Sequence, residues 1–197
     1  MSRNNILIGA AIVAVIIGGV FVSQKLKKRN LPTGNMSQTT STTEETGSVQ
    51  NPISGKPQVK ISTSKGDITV ELRPDIAPKT VANYLGKWSR GECDNRIWHR
   101  VEDWVVQGCD PKGDGTGGNS NLPTETSSES FTAGAVGVAR KANPKEVSND
   151  SQFFIVKKDS VFLNGEYTLF GRVISGMDVV NKLAVGDKII STLILSK

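Results

Sequence analysis

Ile97-Trp98-His99-Arg100-Val101-Glu102-Asp103-Trp104-Val105-Val106-Gln107-Gly108-Cys109-Asp110-Pro111, running on into Lys112-Gly113-Asp114-Gly115-Thr116-Gly117-Gly118, is the stretch on which the reading of this chain turns. Two short apolar runs flank Glu102-Asp103, which predicts a β-hairpin closed at that acidic turn. Strand alternation puts Trp98 and Arg100 on one face, with His99 and Val101 on the other. Gln107 comes back beside Arg100 on the second strand. An arginine and a glutamine on a β-surface ringed by aromatics suit a site that binds an amide and polarises it.

Working outward, the charge is unevenly spread. The net charge of +5 divides into 6 Lys+Arg against 2 Asp+Glu in residues 1–57, and 18 against 17 in residues 58–197. The excess is therefore N-terminal, centred on Lys25, Lys27, Lys28 and Arg29 beside an apolar run, as expected of a membrane flank. Without a basic stripe interleaved with aromatics in the rest of the chain, nucleic-acid binding is set aside.

That run, Ile6 to Val22, holds seventeen residues drawn only from Ile, Leu, Val, Ala, Phe and Gly, the lower limit for a bilayer-spanning helix. A cleaved signal peptide is the competing reading, but Phe21-Val22-Ser23 is a poor small-residue cleavage site. The expected organisation is a tail at 1–5, a single transmembrane helix at 6–23, a basic flank and Ser/Thr-rich flexible linker at 24–57, and a folded domain at 58–197. Four basic residues after the helix, against Arg3 before it, would by the positive-inside rule keep the domain in the cytoplasm. The Ser/Thr stalk pulls the other way, and the expectation is a single-pass protein with its domain outside the cytoplasm.

Within the domain, Val59–Ser62 and Asp67–Leu72 alternate around Ser64-Lys65-Gly66, a first hairpin. Pro78 opens a helix whose apolar stripe is Val81, Tyr84, Leu85 and Trp88, ended by Gly91. After the central hairpin, strands are expected at Ala133–Val138, Gln152–Val156, Tyr167–Val173 and Lys188–Leu195. A short helix capped by Ser175 runs through Leu183. Residues 119–130 and 139–149 read as polar or charged loops. Eight strands and two helices point to a mainly β fold, a closed eight-stranded antiparallel barrel capped by the helices.

Several motifs have a plainer reading than their chemistry suggests. Gly113-Asp114-Gly115-Thr116-Gly117-Gly118 satisfies a dinucleotide fingerprint, but no helix opens on it and no βαβ unit surrounds it, so it reads as a flexible surface loop. His99, the only histidine, reads as a wall residue with its hydrogen bonds satisfied. One histidine and two cysteines assemble no zinc site, and no metal or cofactor is expected. Cys93 and Cys109 lie about three residues out of register across a 102–103 turn. Two separate small hydrophobes are expected there, with a disulfide possible if the chain curls back.

Trp98-His99-Arg100-Val101, Gln107-Gly108-Cys109-Asp110-Pro111, Gly115-Thr116-Gly117-Gly118, Ser151-Gln152-Phe153-Phe154-Ile155 and Leu163-Asn164-Gly165, with Phe170-Gly171-Arg172-Val173, resemble in order and spacing the cyclophilin family of peptidyl-prolyl cis-trans isomerases. The resemblance implies Arg100 as the catalytic arginine, with Gln107 and Gln152 holding peptide and arginine. It also implies a proline pocket of Trp104, Val105, Phe154 and Leu163, where the family more often has Phe, Met, Phe and Leu. Ala139 and Arg140 fall on the edge that pairs with substrate backbone. Phe162 stands where the family often has Trp, and Tyr167 where it often has His. The implied substrate is a proline-containing polypeptide, handled by a monomer without a cofactor.

The chemistry agrees with those residue types. Resonance gives the peptide C–N bond a rotational barrier of about 18–20 kcal/mol. Lowering it needs a donor that localises the prolyl nitrogen lone pair and a pocket that fixes the ring, and a guanidinium supplies rigidly placed N–H groups. The expected function is an isomerase assisting protein folding near a membrane. The alternative is a catalytically weak proline-peptide binding module or holdase.

Overall fold

The computed structural model describes residues 55–196, so the predicted anchor at 6–23 and most of the linker lie outside the described residues. Ten strands form two antiparallel sheets. The first hairpin is β1 (Gln58–Thr63) and β2 (Gly66–Leu72), followed by α1 (Pro78–Ser89), and the central hairpin is β3 (Trp98–Val101) and β4 (Val105–Gly108). Then come β5 (Ser120–Pro123), β6 (Ala135–Val138), β7 (Val147–Asn149), β8 (Phe153–Val156), a 3₁₀ turn at Val161–Leu163, β9 (Leu169–Ser175), α2 (Met177–Lys182) and β10 (Ile189–Ser196).

Eight strands make one curled sheet in the order β10-β1-β2-β9-β6-β8-β4-β3. The expected closed barrel does not form. Its edge strands β3 and β10 meet only at a bridge between Ile97 and Lys188, flanked by Trp98 N–H donating to the Asp187 carbonyl at 2.8 Å and Ile189 N–H to that of Arg96 at 2.8 Å. The contact stops at Trp98 because the register of β3 shifts between Trp98 and Arg100, and a bulge there turns the strand away. Strands β5 and β7, in stretches read as loops, make a separate two-stranded sheet. They carry polar residues without alternation, and pairing is helped by contacts such as Thr124 Oγ1 to the buried Ser148 Oγ at 2.8 Å.

The helices follow their sequence signals with one exception. In α1 the stripe Val81, Tyr84, Leu85 and Trp88 is buried, and Gly91, at φ +68°, closes the end. Ala77 offers no capping side chain, so the distant Glu125 carboxylate accepts from Lys79 N–H at 3.1 Å and Thr80 N–H at 2.8 Å. An anion at these orphan N–H groups also suits the helix dipole. Helix α2 is capped not by Ser175, which ends β9, but by Gly176 at φ +92°. A Cβ there would strike the Asp67 carbonyl oxygen.

Each strand near the middle of the sheet serves two apolar clusters. Val106, Val136, Val138, Phe153 and Ile155 face the interior with Tyr84, Trp88 and Trp98. Val105, Ala135, Phe154 and Val156 face outward with Phe131, Leu163 and Leu169. Burial on both faces explains why Ala135–Val138 and Phe153–Val156 read as continuous apolar runs rather than alternating ones.

The cysteines correct another expectation. Cys93 and Cys109 are joined in a disulfide, with Cα atoms 5.0 Å apart. After α1 the chain curls through turns in which Asp94 N–H donates to the Gly91 carbonyl and Arg96 N–H to that of Cys93. That curl closes the gap strand register alone would leave. The bridge spans 16 residues, a loop for which cross-linking contributes about 3 kcal/mol by restricting the unfolded chain. Thiol titration of the denatured, unreduced protein should find no free cysteine. Reduction should lower the melting temperature by roughly 10 °C; an unchanged melting temperature would show the bridge to be energetically idle.

Candidate active site

The central hairpin turns one residue later than predicted. Arg100 pairs with Gln107 and Val101 with Val106, and Glu102 N–H donates to the Val105 carbonyl at 2.8 Å, leaving Asp103-Trp104 as the turn. The bulge also separates Trp98 from Arg100, which simple alternation had placed on one face. Trp98 is fully buried, edge-on to Phe153 at 5.5 Å, whereas the Arg100 side chain is 43% exposed. Gly108 is required opposite Trp98, since a Cβ there would lie 2.9 Å from the indole.

On the outer face Arg100, Trp104, Val105, Gln107, Ala139, Arg140, Phe154, Leu163 and Tyr167 surround a pocket of about 170 Å³. Its base is apolar. Phe154 stacks on Phe131 at 5.8 Å and meets Tyr167 edge-on at 5.9 Å. Gly137 behind them leaves room for both rings, because a Cβ would strike Phe154 and come within 2.7 Å of Phe131. Two predicted residues do not line this pocket. Phe162 is 64% exposed and packs edge-on against Trp104 at 5.1 Å, forming a rim. Gln152 is buried beneath Gln107 and also lines an adjoining cleft of about 600 Å³ with Gly115–Ser120, Asn149 and Lys141.

The polar side of the pocket is a connected network. Arg100 Nε donates to Glu102 Oε1 at 2.7 Å and Nη1 to Gln107 Oε1 at 3.4 Å, while Nη2 has no protein partner among the described residues. Gln107 Nε2 donates to Gln152 Oε1 at 2.8 Å. Glu102, absent from the sequence reading of the site, is its hinge, since its other oxygen accepts from Trp104 Nε1 at 2.9 Å. The hydrogen bond from Arg100 holds the Glu102 carboxyl below its ordinary range. Such an exposed, solvent-screened pair contributes little to stability, so its main effect is to orient. The only sequence signal for Glu102 was its place between Arg100 and Trp104.

Ala139 and Arg140 divide the edge between them. Ala139 N–H donates to the Gln152 carbonyl at 3.0 Å and its carbonyl accepts from Asn149 N–H at 2.8 Å. The Ala139 backbone is thus occupied inside the protein, while the residue itself lines the pocket. The Arg140 backbone makes no hydrogen bond among the described residues. The Arg140 side chain is 3% exposed, ion-paired with Glu166 at 3.0 Å and stacked 4.4 Å from the Tyr167 centroid. The glycine loop at 113–118 is not free either. Asp110 accepts from the backbone N–H groups of Lys112, Asp114 and Gly115.

Residues 58–192 match the family model for cyclophilin type peptidyl-prolyl cis-trans isomerase/CLD. The chain belongs to that family. It is 39% identical over 158 residues to a probable peptidyl-prolyl cis-trans isomerase of Brucella suis, covering 72% of this chain and 80% of the relative. A peptidyl-prolyl cis-trans isomerase of Dictyostelium discoideum is 43% identical over 130 residues, 64% and 83% of the two chains. Among solved structures, a Cryptosporidium parvum cyclophilin type isomerase superposes with a TM-score of 0.68 at 30% identity, covering 73% of this chain and 99% of that one. The same parasite enzyme, solved in the presence of the dipeptide Ala-Pro, matches with a TM-score of 0.65 at 31% identity, covering 71% and 99%. The protein is a peptidyl-prolyl cis-trans isomerase with a curled eight-stranded half-barrel and two helices.

His99 differs from its expected state. Its Nδ1 is buried without a hydrogen-bond partner, and burial pushes its pKa below the ordinary value. The unfolded chain therefore takes up a proton first as pH falls through about 6.5. Stability contributed by neutral His99 is complete above that pH and declines below it. Between pH 7.5 and 5 the melting temperature of the wild type should fall further than that of His99→Gln; equal declines would mean that His99 carries no such penalty.

Proposed function

We propose that this isomerase works by arginine-assisted electrostatic catalysis, with the substrate proline seated on Phe154, Val105, Leu163 and Trp104 and the Arg100 guanidinium against the prolyl amide. The observation that carries the reading is the free Nη2 edge of Arg100 beside an apolar pocket of about 170 Å³. The pocket holds the ring, and the guanidinium donates a hydrogen bond to the prolyl nitrogen as its lone pair withdraws from the C–N bond. Loss of resonance is what lowers the barrier. Gln107 and Gln152 hold the arginine and the peptide, the open Arg140 backbone pairs with substrate backbone, and Phe162 and Tyr167 wall the groove. Each tenfold in rate requires about 1.4 kcal/mol of transition-state preference, within reach of a charge-assisted hydrogen bond in a partly desolvated site.

In a protease-coupled proline-peptide assay, Arg100→Ala should lower kcat/KM by about 100-fold, the scale of losing one well-placed transition-state donor. A wild type no faster than Arg100→Ala would leave the proline-peptide binding module or holdase as the better description.

The further proposal is a monomer held to a membrane by residues 6–23 and tethered by the Ser/Thr-rich stretch after them. Its domain lies outside the cytoplasm and assists folding of proline-containing polypeptides near the bilayer. The disulfide supports that side of the membrane, because such bridges persist in oxidising compartments. Protease added to intact cells should remove the domain; a domain protected until lysis would place it in the cytoplasm.

A further inference from the structure

Asp110 is fully buried, and among the described residues no lysine or arginine forms an ion pair with it. Its charge is met by backbone alone. Lys112 N–H reaches Oδ1 at 3.2 Å, and Asp114 and Gly115 N–H reach Oδ2 at 2.9 and 2.6 Å. A buried carboxylate without these donors would be costly, so the bonds dictate how residues 110–117 fold. The fit is tight, because a Cβ on Gly117 would overlap the Asp110 carboxylate.

The folded loop aims two carbonyls at one side chain. Gln152 Nε2 donates to the Gly115 carbonyl at 3.1 Å and to that of Gly117 at 2.8 Å. Asn149 Nδ2 also donates to the Gly117 carbonyl, at 2.9 Å, and steadies it from the other side. A primary amide has two N–H groups and one oxygen. With both N–H groups engaged by the loop, Gln152 can present only Oε1 to Gln107, which donates Nε2 to it at 2.8 Å. Gln107 is then left with Oε1 toward Arg100 Nη1. If Gln152 were flipped, Gln107 would turn over as well, and two donors would oppose each other at the guanidinium.

We propose that Asp110 is a positioning residue for prolyl isomerisation, acting through the Gly115 and Gly117 carbonyls to fix the orientation of Gln152 and Gln107, so that an acceptor faces Arg100. This rests on Arg100 being the catalytic group. The polarity of the arginine's support is thus decided three side chains away, by a carboxylate that touches neither substrate nor arginine. Asparagine has the size of aspartate but offers one acceptor oxygen in place of two. It cannot hold all three N–H groups, and the two loop carbonyls lose their common aim.

The test is a double-mutant cycle in the full-length protein. It uses kcat/KM on a proline peptide and Kd for the same peptide, comparing wild type, Asp110→Asn, Arg100→Lys and the pair. Asp110→Asn should cost about tenfold in kcat/KM with arginine present and less than about twofold with lysine, which lacks the planar fork the relay supports. Peptide Kd should stay within about twofold. An equal loss in both backgrounds, or a Kd weakened by the full factor, would reduce Asp110 to a structural role and overturn the proposal. Arg100→Lys as fast as wild type would instead remove the arginine reading on which it rests. If Asp110→Asn fails to fold, the wild type still decides. Its Gln152 side-chain amide protons should exchange slowly by NMR, and exchange as fast as an exposed glutamine would overturn the relay.

Discussion

Strands β4, β6 and β8 are buried on both faces, and that constraint governs the rest of the molecule. A sheet with one wet face needs only one apolar set, whereas here Phe153 and Ile155 fill the interior while Phe154 and Val156 build the outer cluster. Pocket and core thus share a backbone. A shift of β8 by one residue would exchange Phe154 for Phe153 and destroy both at once. Gly137 makes the arrangement physically possible by letting two aromatic rings lie against bare backbone. The pocket beside Arg100 is therefore the outer half of the core, and its apolar base is as fixed as the fold.

The polar half of the site is fixed by a different economy. Arg100 and Glu102 are both substantially exposed, and their attraction contributes little to folding. What holds the arginine is the supply of acceptors, one from Glu102 and one from Gln107, backed by amides that are progressively more buried. Gln152, 3% exposed, has its backbone carbonyl accepting from Tyr84 Oη at 2.8 Å, which ties it to α1. Exposure falls and hydrogen bonding becomes more complete from Arg100 inward. Arg100, at the mouth of the pocket, keeps a free donor edge, and the amides behind it have none to spare.

Much of this was legible in the sequence, because apolar periodicity and a family's ordered motifs report on cores and pockets. The stripe Val81, Tyr84, Leu85, Trp88 and the pocket residues Val105, Phe154 and Leu163 declare themselves by size and spacing. What stayed hidden depended on single-residue geometry. Alternation cannot register a bulge, so Trp98 and Arg100 were put on one face when the shift at His99 sends them to opposite ones. The same shift leaves the barrel open, and the Cys93–Cys109 bridge depends on the curl of turns after α1, which strand register does not report. Strands β5 and β7 were missed because their pairing partners are polar and distant. Glu102 was read as turn material because a turn and an arginine anchor call for the same kind of residue.

Two departures from the family pattern, Trp104 and Phe162, form one contact unit with Glu102. The family often has Trp at the position of Phe162 and Phe at the position of Trp104, and this chain has them the other way round. The structure shows why the exchange holds together. Trp104 keeps its N–H bonded to Glu102 at 2.9 Å, lies 5.4 Å from the Arg100 guanidinium and receives the edge of Phe162. A larger ring at the mouth of the pocket would otherwise expose its N–H and swing freely. Glu102 satisfies that N–H with the same carboxylate that orients Arg100, so the wall of the pocket and the guanidinium beside it are set by one side chain. Departures that look separate along the sequence are therefore a single solution to keeping an indole still beside an arginine.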